Sequence, residues 1–144
     1  MPKLSKATAP SATRTLDQLV DEFIEFNETG TPPPDLFADD VFVDFTMPHW
    51  RLQAGDRDGL VALRRAGHPG PSTVPSYRVD ATENGFVIEW TERWTHDGMD
   101  WYCREMARAD VEDGSITELS VYCTGDWDTN RVAEHEATVT LLRP

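Results

Sequence analysis

The chain has 144 residues and a formal net charge of −13, from 26 acidic against 13 basic side chains. That length suits one domain with one core, and a chain so acidic, with no basic patch, would repel a phosphate backbone, so no nucleic-acid partner is expected. No apolar run approaches the ~20 residues of a membrane span, and the first fifteen residues lack the continuous apolar segment of a secretory signal. The sequence therefore reads as a cytoplasmic protein with no membrane partner.

Residues 1–13 are rich in Ser, Thr, Ala and Pro without period, and read as a disordered tail ahead of a single domain over 14–144. From Thr15 the spacing of Leu16, Leu19, Val20, Phe23 and Phe26 predicts one helical face, with Thr15 and Gln18 fitting a capping box and Gly30 and Pro32-Pro33-Pro34 ending the helix. Asp35–Asp40 reads as a short helical turn leading into a first strand, Val41–Met47, which Pro48 ends, leaving His49 and Trp50 near its mouth. Asp56–Gly67 reads as a second helix with Leu60, Val61 and Leu63 inward, followed by a loop from His68 to Pro75. Tyr77–Thr82 begins a run of strands, and Thr129 caps a short helix over Val132–Ala137.

The stretch from Phe86 to Trp127 alternates with period 2 and is broken by His96-Asp97-Gly98 and Glu112-Asp113-Gly114, both tight-turn signals. It predicts two consecutive hairpins. Centring the first turn pairs Trp94 with Trp101, Glu92 with Cys103, Trp90 with Glu105 and Ile88 with Ala107. In the second hairpin the same procedure pairs Cys103 with Cys123, Glu105 with Val121, Ala107 with Leu119 and, on the other face, Arg108 with Glu118. The covered face then contains Ile88, Trp90, Trp94, Trp101, Ala107, Leu119 and Val121, and two carboxylates, Glu92 and Glu105, among them.

A carboxyl in such company resists ionisation, and two placed diagonally across neighbouring strands can share one proton, making one an acid and the other a base. A slip of either hairpin by one residue would turn both to solvent. Asp44 alternates with Val43 and Phe45, a parity that points it outward, while His49 at the strand's end is a candidate general base. His68, His96 and His135 fall in a loop, a turn and an exposed helix and read as solvated. The four histidines have no ligand spacing, and Cys103 and Cys123 read as free thiols packed as small apolar groups, so neither a metal nor a disulfide is expected. Trp50, Trp90, Trp94 and Trp101, with Phe23 and Val121, could line a pocket for a flat or polycyclic small molecule. No glycine-rich phosphate loop, nucleophile elbow or Cys–His pair is present, and nothing recruits a flavin or nicotinamide cofactor.

The order of elements, the stretch Leu36-Phe-Ala-Asp-Asp-Val-Phe-Val-Asp-Phe-Thr-Met-Pro followed by Gly55-Asp-Arg-Asp-Gly-Leu, and Asp113-Gly-Ser-Ile-Thr-Glu-Leu-Ser-Val-Tyr-Cys together resemble the NTF2-like superfamily. Within it they look like the limonene-epoxide-hydrolase and SnoaL-like polyketide-cyclase branch, over roughly residues 15–128. The resemblance implies an α+β cone, a curved antiparallel sheet wrapped around the N-terminal helices, and acid–base chemistry without a cofactor on a small apolar, possibly polyketide-type, metabolite of secondary metabolism. It also implies a homodimer formed sheet to sheet, and it places Asp44 in the pocket, where the epoxide hydrolases carry a water-positioning asparagine. The aspartate of their last strand corresponds to Val121 here, and their arginine to Arg93, which hairpin parity sends to the opposite face from Glu92. Their triad is thus not reproduced. The reading is a cyclase, dehydratase or isomerase using Glu105 and Glu92 with Asp44 or His49 assisting; the alternatives are an epoxide hydrolase with a non-standard carboxylate set and a non-catalytic binding or scaffold module.

Overall fold

Among residues 14–143, which the computed structural model describes, three helices pack with eight strands; the expected tail over 1–13 lies outside the described residues. Helix α1 (Leu16–Thr29) opens on the expected capping box, with the Gln18 backbone N–H donating to the Thr15 hydroxyl at 3.2 Å and the Thr15 N–H to the Gln18 side chain at 2.9 Å. It ends at Gly30, whose φ of 74° is the left-handed C-cap that glycine adopts without a Cβ penalty. Its buried stripe, Leu19, Val20, Phe23 and Phe26, is laid into the sheet: Phe23 meets the Phe86 and Trp90 rings edge-on and Phe26 meets Phe37.

Strand β1 (Phe37–Met47) begins earlier than the sequence suggests. Asp35–Asp40 is not a helical turn. Asp35 takes a positive φ of 62° in a tight turn, and the chain is extended from Phe37 onward because Phe37 and Val41 bury their side chains on the α1 side. Pro48 and His49 form a turn into a strand the sequence did not signal, β2 (Trp50–Ala54), antiparallel to β1. Helix α2 (Arg57–Gly67) is capped by Asp56, which accepts the Gly59 N–H at 2.7 Å. After it come β3 (Ser72–Thr73), β4 (Tyr77–Ala81), β5 (Gly85–His96), β6 (Met99–Glu112), β7 (Ser115–Cys123), β8 (Trp127–Asp128) and α3 (Thr129–Thr138), the last capped by Asp128 rather than by Thr129.

The strands run in the order β2-β1-β7-β6-β5-β3, with β4 also on β5 and β8 on β6. All pairs are antiparallel except β1 with β7, so the sheet is mixed rather than wholly antiparallel. Asp97 and Gly98 both have positive φ (52° and 73°), the geometry of a two-residue type I′ turn, and the β5–β6 register is the one derived above: Trp94 with Trp101, Glu92 with Cys103, Trp90 with Glu105.

The second hairpin differs. Its turn is also a two-residue one, Asp113-Gly114, and a bulge at Thr117 displaces β7 once more, so Glu105 faces Cys123, Ala107 faces Val121 and Arg108 faces Ser120. The displacement totals two residues, and every side chain keeps the face expected of it. Cys103 and Cys123 are therefore diagonal neighbours and not directly opposed; both are free thiols.

At Gly85, where β5 begins opposite Asp110, a Cβ would run into the Ala109 carbonyl, so the strand pair can close there only around glycine. Gly85→Ala is expected to cost at least about 2 kcal/mol of folding free energy, read as a lower midpoint in urea denaturation at an unchanged slope.

Candidate active site

The concave face of β1, β5, β6 and β7, roofed by α1 and α2, holds a small apolar pocket of about 60 Å³. Phe23, Phe26, Val43, Leu60, Leu119 and Val121 supply its apolar wall, and Trp90 forms part of the lining. Among its few polar groups are Glu105, His68, Asn27 and Arg64.

Glu105 reaches this pocket from the middle of β6, between Trp90 on β5 and Cys123 on β7. It is buried, and its Oε2 has no hydrogen-bond partner among the described residues. Burial first, and the negative charge of Glu92 second, hold its pKa well above the ordinary carboxyl range. Its proton is held more tightly than an ordinary carboxyl's, which suits it to act as an acid.

Glu92 is 0 % exposed, one step behind Glu105 on the neighbouring strand. The Trp90 indole N–H donates to its Oε1 at 3.0 Å, His68 Nδ1 lies 2.6 Å from its Oε2, and the Ser72 hydroxyl lies 3.3 Å from the same oxygen. Burial alone would raise its pKa, but the hydrogen bond and charge of His68 and the indole hydrogen bond outweigh burial, and Glu92 is ionised.

His68 is where the sequence reading fails. The residue read as a solvated loop histidine is buried, because it is the C-cap of α2 and the loop folds inward. Its backbone N–H bonds the Arg64 carbonyl at 3.0 Å, and Arg64 in turn donates to the His68 carbonyl at 2.6 Å and to the Asn27 carbonyl at the end of α1. The ring stacks on Trp94 with centroids 4.0 Å apart, and its Nε2 lies 3.3 Å from Asp126 Oδ1. Burial would lower the imidazole's pKa, but hydrogen bonds to Asp126 and Glu92 and the charges of both raise it to about 9. A His–Pro–Gly–Pro loop carries no periodic signal of burial, and Asp126 follows the last long strand, so nothing local in the sequence announces the pair.

The remaining expected site residues separate into two groups. Phe23, Trp90 and Val121 line the pocket with Glu105. Trp94 stands behind His68, and Trp101 stacks parallel to it with centroids 6.4 Å apart; both line a separate groove with Ser72 and Arg93 and not the apolar pocket. Asp44 lies on the outer face, as parity requires, and is held below its ordinary pKa by the bidentate Arg51. The inward placement implied by the resemblance is overturned, because Val43 and Phe45 take the concave side of β1. His49 and Trp50 are exposed at the β1–β2 turn, away from the pocket, since β2 carries the chain outward past Pro48. Arg93 is on the outer face over the Tyr102 ring at 4.8 Å.

Two sets of donor atoms around His68 come close enough to share an ion: His68, Cys103 and Asp126, and Cys103, Glu105 and Cys123, each within 4.8 Å of one another, with His68, Glu92 and Glu105 forming a third.

The architecture has precedents among solved structures. An NTF2-like protein from Anabaena variabilis superposes with a TM-score of 0.63 at 18% identity, over 76% of this chain and 87% of that one. The chain has the NTF2-like fold. Candidate polyketide cyclases from Pseudomonas putida (TM-score 0.59, 17% identity, 84% of this chain and 97% of the other) and Xanthomonas campestris (0.55, 19%, 74% and 88%) share it. No family model and no curated protein matches the sequence. Among the described residues, no helix is long and apolar enough to cross a membrane.

Because folded His68 holds its proton more tightly than unfolded histidine, its contribution to stability is complete below about pH 6.5 and is lost as pH rises through about 9. The contribution is on the order of 3 kcal/mol. Urea titrations from pH 6 to pH 10 in buffer containing EDTA should show this decline in the wild-type protein and a flatter profile in His68→Asn.

Proposed function

We propose that the protein is an acid–base enzyme acting on a small, largely apolar metabolite that carries a carbonyl or hydroxyl group. The observation that carries this reading is a carboxyl of raised pKa, Glu105, lining an apolar pocket while an ionised carboxylate stands behind it. With apolar walls fixing the substrate's body, Glu105 protonates a carbonyl oxygen or a leaving hydroxyl. The carboxylate left behind then removes a proton from the adjacent carbon. Isomerisation, ring closure with loss of water, and dehydration all follow this course. By taking that proton Glu105 returns to its acid form, ready for the next turnover. The solved neighbours described as candidate polyketide cyclases support ring closure as the first reaction to try.

A panel of β-hydroxyketones, poly-β-ketones and epoxides should reveal turnover in the wild-type protein. Glu105→Gln keeps the shape and loses the transferable proton, so kcat should fall by roughly 10²–10⁴-fold with the fold intact. Wild-type kcat should also decline as pH rises past the elevated Glu105 pKa. Full activity in Glu105→Gln on a substrate the wild type turns over would sink the assignment.

The outer sheet face supports the homodimer. It exposes Phe42, Met106 and Tyr122, the last 60 % exposed, among Arg104 and Arg108 and the acids Glu118 and Glu89, a mixture that can pair with a second copy of itself. A Met106→Glu, Tyr122→Glu double variant should sediment as a monomer where the wild type sediments as a dimer.

A further inference from the structure

We infer that His68, Cys103 and Asp126 form a binding site for a transition-metal dication, zinc being the ion that suits the donors. Three separate elements deliver them: the cap of α2, the middle of β6 and the loop after β7. His68 Nε2 is 3.9 Å from Cys103 Sγ and 3.3 Å from Asp126 Oδ1. A tetrahedral zinc with bonds of about 2.1 Å to N and O and 2.3 Å to S spaces its ligands by about 3.4 Å between N and O and about 3.6 Å between N and S. The free protein's spacing is within a few tenths of an ångström of that.

Two further observations point the same way. The other ring nitrogen of His68 lies 2.6 Å from a buried carboxylate, Glu92, a pairing of the kind that orients a ligating imidazole. It leaves Nε2 aimed at Cys103 and Asp126. Cys123 lies with its Sγ within 4.8 Å of Cys103 Sγ and accepts the Gly125 N–H at 3.4 Å, a bond of the kind that stabilises a thiolate, so it is a candidate fourth donor. Gly125 turns that N–H back with a φ of 85°. A thiol with an imidazole and one carboxylate is a borderline-soft set that selects zinc over magnesium or calcium. Asp126 is part-exposed and gives the ion a way in from solvent.

The ion would take the place of the His68 Nε2 proton and keep positive charge beside Glu92. Its presence is read by absorbance and stands or falls independently of turnover. The test uses the tag-free protein, stripped with EDTA and titrated with cobalt(II), then with zinc(II). One equivalent of cobalt should produce a thiolate-to-cobalt charge-transfer band in the near ultraviolet, abolished by zinc, and zinc should raise Tm. Cys103→Ser should lose the band, and Asp126→Asn, a change at a part-exposed position that leaves the core untouched, should weaken cobalt binding by 10-fold or more. Absence of the band at saturating cobalt, or its persistence at full affinity in Asp126→Asn, would overturn the inference.

Discussion

A carboxylate with no exposed surface sits in the middle of a β-sheet, and a chain of polar groups running from Ser72 and Trp90 through His68 to Arg64 makes Glu92 tolerable there. An isolated buried charge is too costly to persist, and it must find a counter-charge and fill its lone pairs. The sheet itself cannot do this, because the neighbours of Glu92 on β5 and β6 are Trp90, Trp94 and Cys103. Only the indole N–H is a strong donor among them. The cation has to come from outside the sheet, which is why the chain after α2 folds inward instead of running over the surface. Arg64 ties that loop to the end of α1, so a charge on a strand governs how two helices sit.

Charge is layered in depth as a result. His68⁺ stands between Glu92 and Asp126, and Glu105 has the buried carboxylate of Glu92 for a close neighbour. Burial and that neighbour's charge hold the Glu105 proton more tightly than an ordinary carboxyl's, and Glu105 is the member that lines the apolar pocket. Proton chemistry needs a group poised away from its ordinary ionisation, and here the poise follows from packing order on two adjacent strands.

Much of this was legible in the amino-acid sequence, because strands write their two faces at a period of two. The Asp97-Gly98 turn fixed one hairpin's register, and both glutamates fell on the concave side from parity alone. The second hairpin's register depended on two things, the two-residue length of the Asp113-Gly114 turn and the Thr117 bulge, which has no distinctive residue to mark it. Resemblance carried the fold but misled on Asp44, where alternation with Val43 and Phe45 was the better guide. His68 and Asp126 were illegible for a different reason. Their importance arises from meeting each other across a sequence separation with no periodic element between, and the spacing of histidines and cysteines along the chain does not encode that encounter.

The bulge at Thr117 bears on how this hairpin can vary in descent. Thr117 is the one residue of β7 without a partner across the strand pair, so a single-residue deletion between the turn and Val121 can be taken up by closing the bulge, leaving Val121 opposite Ala107 and Cys123 opposite Glu105. Length drift of one residue is thereby absorbed before it reaches the acid, and the surroundings of Glu105 are buffered against the slip that would otherwise turn Val121 outward.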